Sequence, residues 1–360
     1  MIRSAGPWGT GPYKLVEGFS LPDKRADRVV LEANLEYWDK NRFPRVQRVV
    51  FDNTLSQKDA AELVKTTEGR VDIVSELSPL DTLRVAQSPF AKVVKNRGAF
   101  MPVLGQFNTL KPGSPWKDVR LRQAANFAIN REDVIRYAAK GNGVIIPALV
   151  PAQAFGYDPS LPPYPFDPVK ARQLLRDTGY PQGLPVTLIA QEDLVIQATV
   201  VGKMLEQVGF QVDLQILDPN SFNQKTFLSY LDHPPEQQTW DIAVMSYFDE
   251  MNFPIFGFYH DLALDGAYDW VSEEPELRQL YEQVLRTVDQ DQQQALIRQM
   301  ERHTSEHAYF LFLYNPIQLY AVNKEVDFVP YATTDLILVK TLVTEQHWSV
   351  RQQKTSTQER

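Results

Sequence analysis

The chain has 360 residues, of which 43% are apolar, and its formal net charge at pH 7 is -8. That length and apolar content are enough for one large or two ordinary folded domains. Basic and acidic residues are interspersed, so the charge pattern argues against a nucleic-acid or anionic-membrane partner. The absence of cysteine excludes disulfides, thiolate nucleophiles and Cys-ligated zinc. No apolar run reaches the roughly 20 residues that a membrane span needs.

The first part of the chain indicates mixed α/β structure. Arg28–Ala33 and Val46–Phe51 have the β-branched content and partial alternation that are typical of strands. Ser56 supplies an N-cap for a helix that Gly69 ends, and Val71–Val74 is predicted to be a short buried strand. The order strand, helix, strand predicts a right-handed crossover on one sheet.

From Asn108 onward the pattern alternates between helices and strands. Asn130 is placed to cap one helix, and Asp167 with Pro168 begins another that ends at Gly179 in the C′ position. The helix that Asn130 caps is Arg131–Ala139, and the other predicted helices are Val119–Ile129, Leu194–Val208, Pro275–Val288 and Gln290–His307. The predicted strands are Val186–Ile189, Phe210–Leu217, Trp240–Tyr247, Tyr309–Tyr314, Ile317–Val322 and Leu336–Val339. The β-α-β order predicts a mostly parallel sheet with helices packed on it.

Several motifs follow one another in a fixed order along the chain. They are GTGPYKL at Gly9–Leu15, NLEYW at Asn34–Trp38, GRVDIV at Gly69–Val74, the Phe107-Asn108 pair, VRLRQA at Val119–Ala124, AINR at Ala128–Arg131, Tyr157–Pro159 and Tyr164–Leu175. In this order and spacing they resemble the bacterial ABC-transporter solute-binding proteins of the peptide/nickel type, often called family 5. Each motif is weak alone, and the resemblance rests on the whole set.

The resemblance implies an α/β fold of the two-lobed, periplasmic-binding-protein-like type II. The first lobe would comprise residues 1–107 and 317–350, and the second lobe residues 108–316. Residues 351–360 are polar and are predicted to be a disordered tail. The chain would then cross between the lobes near Asn108 and near Pro316.

The GTGPY motif lies well inside the family's sequences, whereas here it starts at Gly9. The first lobe is therefore expected to lack the family's opening portion, through a truncated gene product, a fragment, or a part supplied by a separate chain. The segment Met1–Trp8 has no apolar core and no small-residue cleavage site, so it does not predict a signal peptide. The resemblance implies a periplasmic or extracytoplasmic protein, and a cytoplasmic one if Met1 is the true N-terminus.

For function, the resemblance implies an oligopeptide or peptide-like ligand bound in a cleft between the lobes. It implies a monomer that works with the permease subunits of an ABC transporter. It implies no catalytic residues, no cofactor, no metal, no nucleic-acid partner and no direct insertion into a membrane. The alternative is a truncated or degenerate homologue that acts as an interaction or chaperone-like module.

The segment Trp240–Pro254 is the main candidate for the ligand site. It is similar to the family segment in which a strand leads to an aromatic residue, an Asp and a proline. The resemblance implies that Glu250, where the family has Asp, pairs with a ligand ammonium. Tyr247, where the family has Trp, would pack on the ligand, with Asp249 and Asn252 beside it. The alternative is a solvated acidic loop.

Two further pairs of residues are candidates for ligand contact. Phe107 and Asn108 lie at the predicted crossover between the lobes. Tyr268 and Trp270 follow Gly266 in a loop, and aromatic side chains there offer a large contact area at a small entropic cost. The alternative for all four is ordinary packing.

The segment His303–His307 reads HTSEH, which matches the H-x-x-E-H pattern of one zinc metallopeptidase class. Two histidines four residues apart share a helix face and can chelate zinc. However, the motif ends a charged helix, where His is favoured by the helix dipole, and the sequence shows no third ligand. A zinc hydrolase is therefore the minor alternative.

Overall fold

The computed structural model describes residues 3–6, 9–19, 21, 24–227, 237–247, 255–264, 266, 268–271, 274–332 and 335–352. The chain divides into two units, one of Met1–Ala99 with Ile317–Arg360 and one of Phe100–Pro316. The second crossing of the chain coincides with the predicted one at Pro316. Residues 351–360 were predicted to be a disordered tail. Residues 351 and 352 belong to a helical segment at 348–352, and residues 353–360 lie outside the described residues.

Helices and strands alternate along most of the chain. The helices are α1 Gln57–Thr66, α2 Thr82–Ala86, α3 Val119–Ala128, α4 Arg131–Ala138, α5 Pro168–Asp177, α6 Val195–Val208, α7 Pro219–Thr226, α8 His260–Ala263, α9 Pro275–Arg286 and α10 Gln290–Glu306. The strands are β1 Tyr13–Glu17, β2 Arg28–Ala33, β3 Arg48–Asp52, β4 Ile73–Val74, β5 Ala91–Asn96, β6 Val103–Phe107, β7 Gly143–Ile145, β8 Leu184–Gln191, β9 Phe210–Leu217, β10 Ile242–Ser246, β11 Phe310–Pro316, β12 Gln318–Asn323, β13 Val326–Asp327 and β14 Leu342–Val343.

The first unit contains two three-stranded sheets, β1-β2-β3 and β4-β12-β5, and both are antiparallel. The predicted crossover from β3 through α1 to β4 on one sheet is therefore wrong, because β3 and β4 belong to different sheets. The partner of β4 is β12, which lies far along the chain. Ala61 and Val64 of α1 pack with Val74 of β4 and Ala321 of β12 in one hydrophobic core.

The second unit is built on a six-stranded sheet with the order β7-β11-β6-β10-β8-β9. Among its described strands, only the β10–β8 and β8–β9 pairs are parallel. The expectation of a mostly parallel sheet is therefore wrong for this unit. Helix α6 makes the expected crossover between β8 and β9. By contrast, β6 and β11 are the strands by which the chain enters and leaves the unit, so they run in opposite directions side by side.

Strand β6 also decides where the first crossing lies. It pairs with β11 on one side and with β10 on the other, so it is an inner strand of the sheet. The boundary consequently falls between Ala99 and Phe100, ahead of the one predicted after residue 107. A division after residue 107 would separate β6 from its sheet. The local sequence does not show that β6 pairs with β10 and β11.

Helices cover both faces of the six-stranded sheet. On one face, apolar residues of α3 to α6 form a core, with Leu121, Val134, Leu175 and Leu205 among its buried members. On the other face, the residues around α8 and α10 form a second core that includes Phe258, Trp270, Ile297 and Met300. This arrangement is the helix-on-sheet architecture of an α/β fold.

The predicted helix ends agree with the structure. Asn130 accepts a hydrogen bond from the backbone N–H of Asp133, and Asp167 caps α5 with Pro168 in its first turn. Gly179 has a φ of +95°, the left-handed conformation that favours glycine after a helix. These local predictions are confirmed because each depends on neighbouring residues alone.

The predicted strand at Leu336–Val339 is wrong. Residues 336–338 have no regular secondary structure, and the strand near this point is β14, which pairs with β13. Leu336 and Leu338 instead pack their side chains against a small core that contains Tyr320 and Phe328. Apolar residues two positions apart are thus buried here without joining a β-ladder.

None of the described helices combines the length and apolar character needed to cross a membrane.

Candidate ligand-binding site

Aromatic and acidic side chains gather where β10 ends. Tyr247 follows β10 directly, and its backbone N–H donates to the carbonyl of Pro102 at 3.1 Å. Its hydroxyl donates to Asp261 Oδ2. The Tyr247 ring meets Phe258 edge-on, with centroids 4.8 Å apart, and Tyr268 edge-on at 6.1 Å. We call Tyr247, Phe258, Asp261 and Tyr268 the β10-end cluster.

Asp261 is the acidic member of the β10-end cluster. It lies in the short helix α8, and its Oδ1 is 3.1 Å from His260 Nδ1. The Asp261 side chain is 35% exposed, so a dissolved molecule can reach the carboxylate. Among the described residues, no Lys or Arg pairs with this carboxylate. The described polar contacts of the carboxylate are thus the Tyr247 hydroxyl and the His260 ring.

The sequence argument missed Asp261. It lies 14 residues after Tyr247, and no motif marks it. The π-helical turn Ile255–Tyr259 and α8 bring it back to the end of β10. Only the fold therefore reveals this residue as part of the β10-end cluster.

The loop after α8 holds Tyr268 beside Asp261. The Tyr268 N–H donates to the Asp261 carbonyl at 2.8 Å. A methyl group on Gly266 would lie 2.2 Å from Asp261 Cα, so a side chain at Gly266 cannot be accommodated without moving backbone. Gly266 thus allows the loop to approach α8 closely, and Tyr268 remains partly exposed in the cluster. The structure brings the predicted residues Tyr247 and Tyr268 together.

Trp270 is fully buried beneath the same loop. Its ring meets Trp240 edge-on with centroids 4.6 Å apart, and its Nε1 donates to the Thr226 carbonyl at 2.8 Å. The Trp270 carbonyl accepts from Thr109 Oγ1 at 2.7 Å. These contacts anchor the loop, and direct contact of Trp270 with a ligand stays a prediction.

Phe107 and Asn108 are also fully buried. The Phe107 ring stacks on Trp116 with centroids 4.8 Å apart. Asn108 Nδ2 donates to the Trp240 carbonyl at 3.2 Å, and its Oδ1 accepts from the Lys111 N–H at 3.1 Å. Both side chains are thus engaged in packing, and a ligand contact for either stays a prediction.

The predicted site residues Asp249, Glu250 and Asn252 lie outside the described residues. The predicted pairing of Glu250 with a ligand ammonium consequently stays a prediction. The structure describes the positions on either side, Tyr247 and the turn that starts at Ile255.

The two histidines of the HTSEH motif lie against each other at the end of α10. Their ring centroids are 4.0 Å apart, and His303 Nε2 is 2.8 Å from the Tyr309 hydroxyl. Burial, followed by the charge of His307, lowers the pKa of His303. His307 Nδ1 is 2.9 Å from the His303 carbonyl. Among the described residues, no group of three or more His, Asp or Glu side chains is arranged to hold a metal, so the zinc-hydrolase hypothesis gains no support.

Residues 3–269 match the model of the family described as bacterial extracellular solute-binding proteins, family 5 Middle. The chain belongs to this family. Family 5 consists of extracytoplasmic solute-binding proteins that work with ABC-transporter permeases. The resemblance that the motif order indicated is therefore confirmed.

Two curated relatives give the sequence comparison. The chain is 28% identical over 178 residues to heme-binding protein A of Haemophilus influenzae, a match that covers 49% of this chain and 30% of that protein. It is 27% identical over 184 residues to the dipeptide-binding protein of Escherichia coli, covering 51% of this chain and 32% of that protein. The matches thus span about a third of the length of these relatives.

A solved structure gives the structural comparison. The periplasmic binding protein DppA of Helicobacter pylori, in complex with the peptide STSA, matches with a TM-score of 0.72 and 18% identity. The match covers 93% of this chain and 63% of that chain. The type II periplasmic-binding-protein fold predicted from the sequence is therefore confirmed, and this chain accounts for part of it.

Proposed function

We propose that this family 5 chain is the solute-binding part of an ABC transporter and that it binds a peptide-like ligand at the β10-end cluster. The observation that carries the proposal is Asp261, whose partly exposed carboxylate accepts from the Tyr247 hydroxyl and whose backbone carbonyl accepts from the Tyr268 N–H. A carboxylate in this setting can pair with a protonated amine through a charge-assisted hydrogen bond. The two tyrosine rings can pack on the ligand and attract its cationic group.

Two relatives support a ligand of this class. The Escherichia coli protein is named for dipeptide binding, and the Helicobacter pylori structure holds a tetrapeptide. Heme-binding protein A shows that members of this family also take other solutes. We therefore propose a short peptide as the first ligand class to test. In this proposal the chain acts outside the cytoplasm, as a monomer, beside permease subunits, and carries out no chemical reaction.

The proposal is tested by thermal unfolding and calorimetry with STSA, mixed dipeptides, glutathione and hemin. A ligand that binds only the folded chain stabilises it by about 2.7 kcal/mol when its concentration is 100 times Kd. We expect one of the peptides to raise the melting temperature. We expect Asp261→Asn to weaken its affinity about tenfold or more, because a charged partner of the amine is lost.

Asp213→Asn serves as the matched control. Asp213 is an exposed residue of β9 that accepts a hydrogen bond from Gln215, and it has no contact with the β10-end cluster. We expect this control to bind like the wild type. Equal affinity of wild type and Asp261→Asn would remove Asp261 from the site. No stabilisation by any of the four solutes would favour the interaction or chaperone-like alternative.

A further inference from the structure

Gln106 is a buried amide in the inner strand β6. Its side chain is 0% exposed, and its neighbours Leu104 and Phe107 are equally buried. Removing an amide from water is unfavourable unless its polar atoms find partners. A polar side chain at this position therefore requires an explanation beyond the filling of space.

The amide nitrogen of Gln106 joins two backbone segments of the proposed site. Nε2 donates to the Leu262 carbonyl at 3.2 Å and also to the Tyr268 carbonyl. Leu262 follows Asp261 in α8, and the Tyr268 N–H donates to the Asp261 carbonyl. One side chain of the sheet thus contacts the two backbone segments that carry Asp261 and Tyr268.

The amide oxygen of Gln106 lacks a hydrogen-bond partner, so burying this side chain has an energetic cost. Oε1 is buried and accepts no hydrogen bond from any described residue. Rotating the amide by half a turn would satisfy nothing, because Oε1 would then face the Leu262 and Tyr268 carbonyls, which only accept. A leucine would fill similar space without an unsatisfied acceptor. Its pair of donors thus distinguishes Gln106 from a leucine at this position.

We infer that Gln106 is a positioning residue of the ligand site: by holding the Leu262 and Tyr268 carbonyls, it keeps the Asp261 carboxylate and the Tyr268 ring beside Tyr247. This inference rests on the proposed function. Gln106 acts through these residues and is itself sealed from solvent. Its role predicts that loss of the two donors lowers ligand affinity more than it lowers the stability of the fold.

The first test replaces Gln106 with Leu, which removes the two donors and the unsatisfied acceptor together. We expect the variant to fold with a modest loss of stability, because two carbonyls lose a donor while the unsatisfied Oε1 is removed. We expect its affinity for STSA to fall about tenfold or more, since small displacements of binding groups weaken binding strongly. The matched control is Gln197→Leu, which removes a hydrogen bond to the Tyr314 hydroxyl in the same unit. The control should bind STSA within about twofold of the wild type.

The second test uses Gln106→Glu and a pH series. A neutral carboxylic acid at this position can donate to one of the two carbonyls, whereas a carboxylate repels both. We therefore expect the affinity of this variant, relative to the wild type at each pH, to recover as the pH falls.

A ligand-free measurement separates this inference from the proposed function. The Tyr268 backbone N–H should exchange with solvent faster in Gln106→Leu than in the wild type or in Gln197→Leu. Unchanged exchange in Gln106→Leu, or STSA affinity equal to that of the wild type, would overturn the positioning role. If the wild type bound none of the test solutes, the proposed function would fail, and Tyr268 exchange would still decide the role of Gln106.

Discussion

At the scale of single residues, buried polar side chains act as connectors between segments. The Arg131 guanidinium is buried without a carboxylate partner among the described residues. It donates to the carbonyls of Phe312 at 2.6 Å and Tyr164 at 3.0 Å and to Asn126 Oδ1 at 2.8 Å. Burial lowers the pKa of Arg131 to about 10, so the group stays charged at neutral pH. Backbone acceptors thus stabilise this charge in place of an ion pair.

We expect Arg131→Met to reduce the free energy of unfolding by about 3 kcal/mol or more, because several buried acceptors lose their donor together. Urea denaturation measures the change. Arg136→Met is the control, since Arg136 is largely exposed and pairs with Asp133 on the surface, and such pairs contribute less than about 1 kcal/mol. Similar losses for the two variants would contradict the connecting role of Arg131.

At the scale of elements, one carboxyl group joins α10 to two other segments. Glu301 of α10 is 2% exposed and accepts from the Val150 N–H at 2.8 Å and from the Tyr259 hydroxyl. Tyr259 precedes α8, which carries Asp261. Burial raises the pKa of Glu301 from 4.5 to about 7, in spite of these hydrogen bonds. The folded protein therefore binds a proton here that the unfolded chain releases near pH 4.5.

The sign of the pH dependence follows from that raised pKa. The contribution of Glu301 to stability is fully present below about pH 4.5 and is lost as the pH rises through about 7. From the pKa difference, the loss has an upper value of about 3 kcal/mol. We expect Glu301→Gln, which is neutral at all pH values, to lose less stability than the wild type between pH 5 and 8.

Unfolding by urea at several pH values measures this difference. Glu282→Gln on the exposed side of α9 is the control and should follow the wild type. The proposed protonation of Glu301 would be contradicted by parallel pH profiles for the wild type and Glu301→Gln.

At the scale of the whole molecule, the first unit is assembled from the two ends of the chain. Asp72, next to β4, receives three hydrogen bonds at Oδ1 from residues near the C-terminus. The donors are Asn323 Nδ2 at 3.1 Å and Trp348 Nε1 at 3.0 Å, with His347 Nε2 at 3.1 Å. One carboxylate therefore connects β4 to segments about 250 residues or more away in sequence.

We expect Asp72→Ala to destabilise the first unit by about 1–3 kcal/mol, because buried donors lose their acceptor. Hydrogen exchange should then rise in β4, β12 and residues 348–352, while the six-stranded sheet of the second unit keeps its protection. Asp81→Ala is the control, since Asp81 makes no side-chain capping hydrogen bond at α2. Equal loss of protection in both units would argue against this local effect.

The amino-acid sequence by itself determined the local elements and the family. Ser56, Asn130 and Asp167 cap their helices as predicted, because a cap depends on residues three positions away. The order of short motifs indicated family 5. This order is also a property of the sequence that does not depend on tertiary contacts. The sequence also singled out Tyr247 and Tyr268, which the structure brings together, and their contact with a ligand stays a prediction.

The tertiary structure alone decided which strands pair and which residues join the β10-end cluster. The local sequence pattern predicted that β3 and β4 share one sheet and that the sheet of the second unit is mostly parallel. Both predictions were wrong. Strand partners such as β12 and β11 lie far along the chain, and hydrophobic alternation does not identify a distant partner. For the same physical reason Asp261 and Gln106 were missed. Their roles come from contacts closed by the fold, across 14 residues for Asp261 and 162 residues for Gln106.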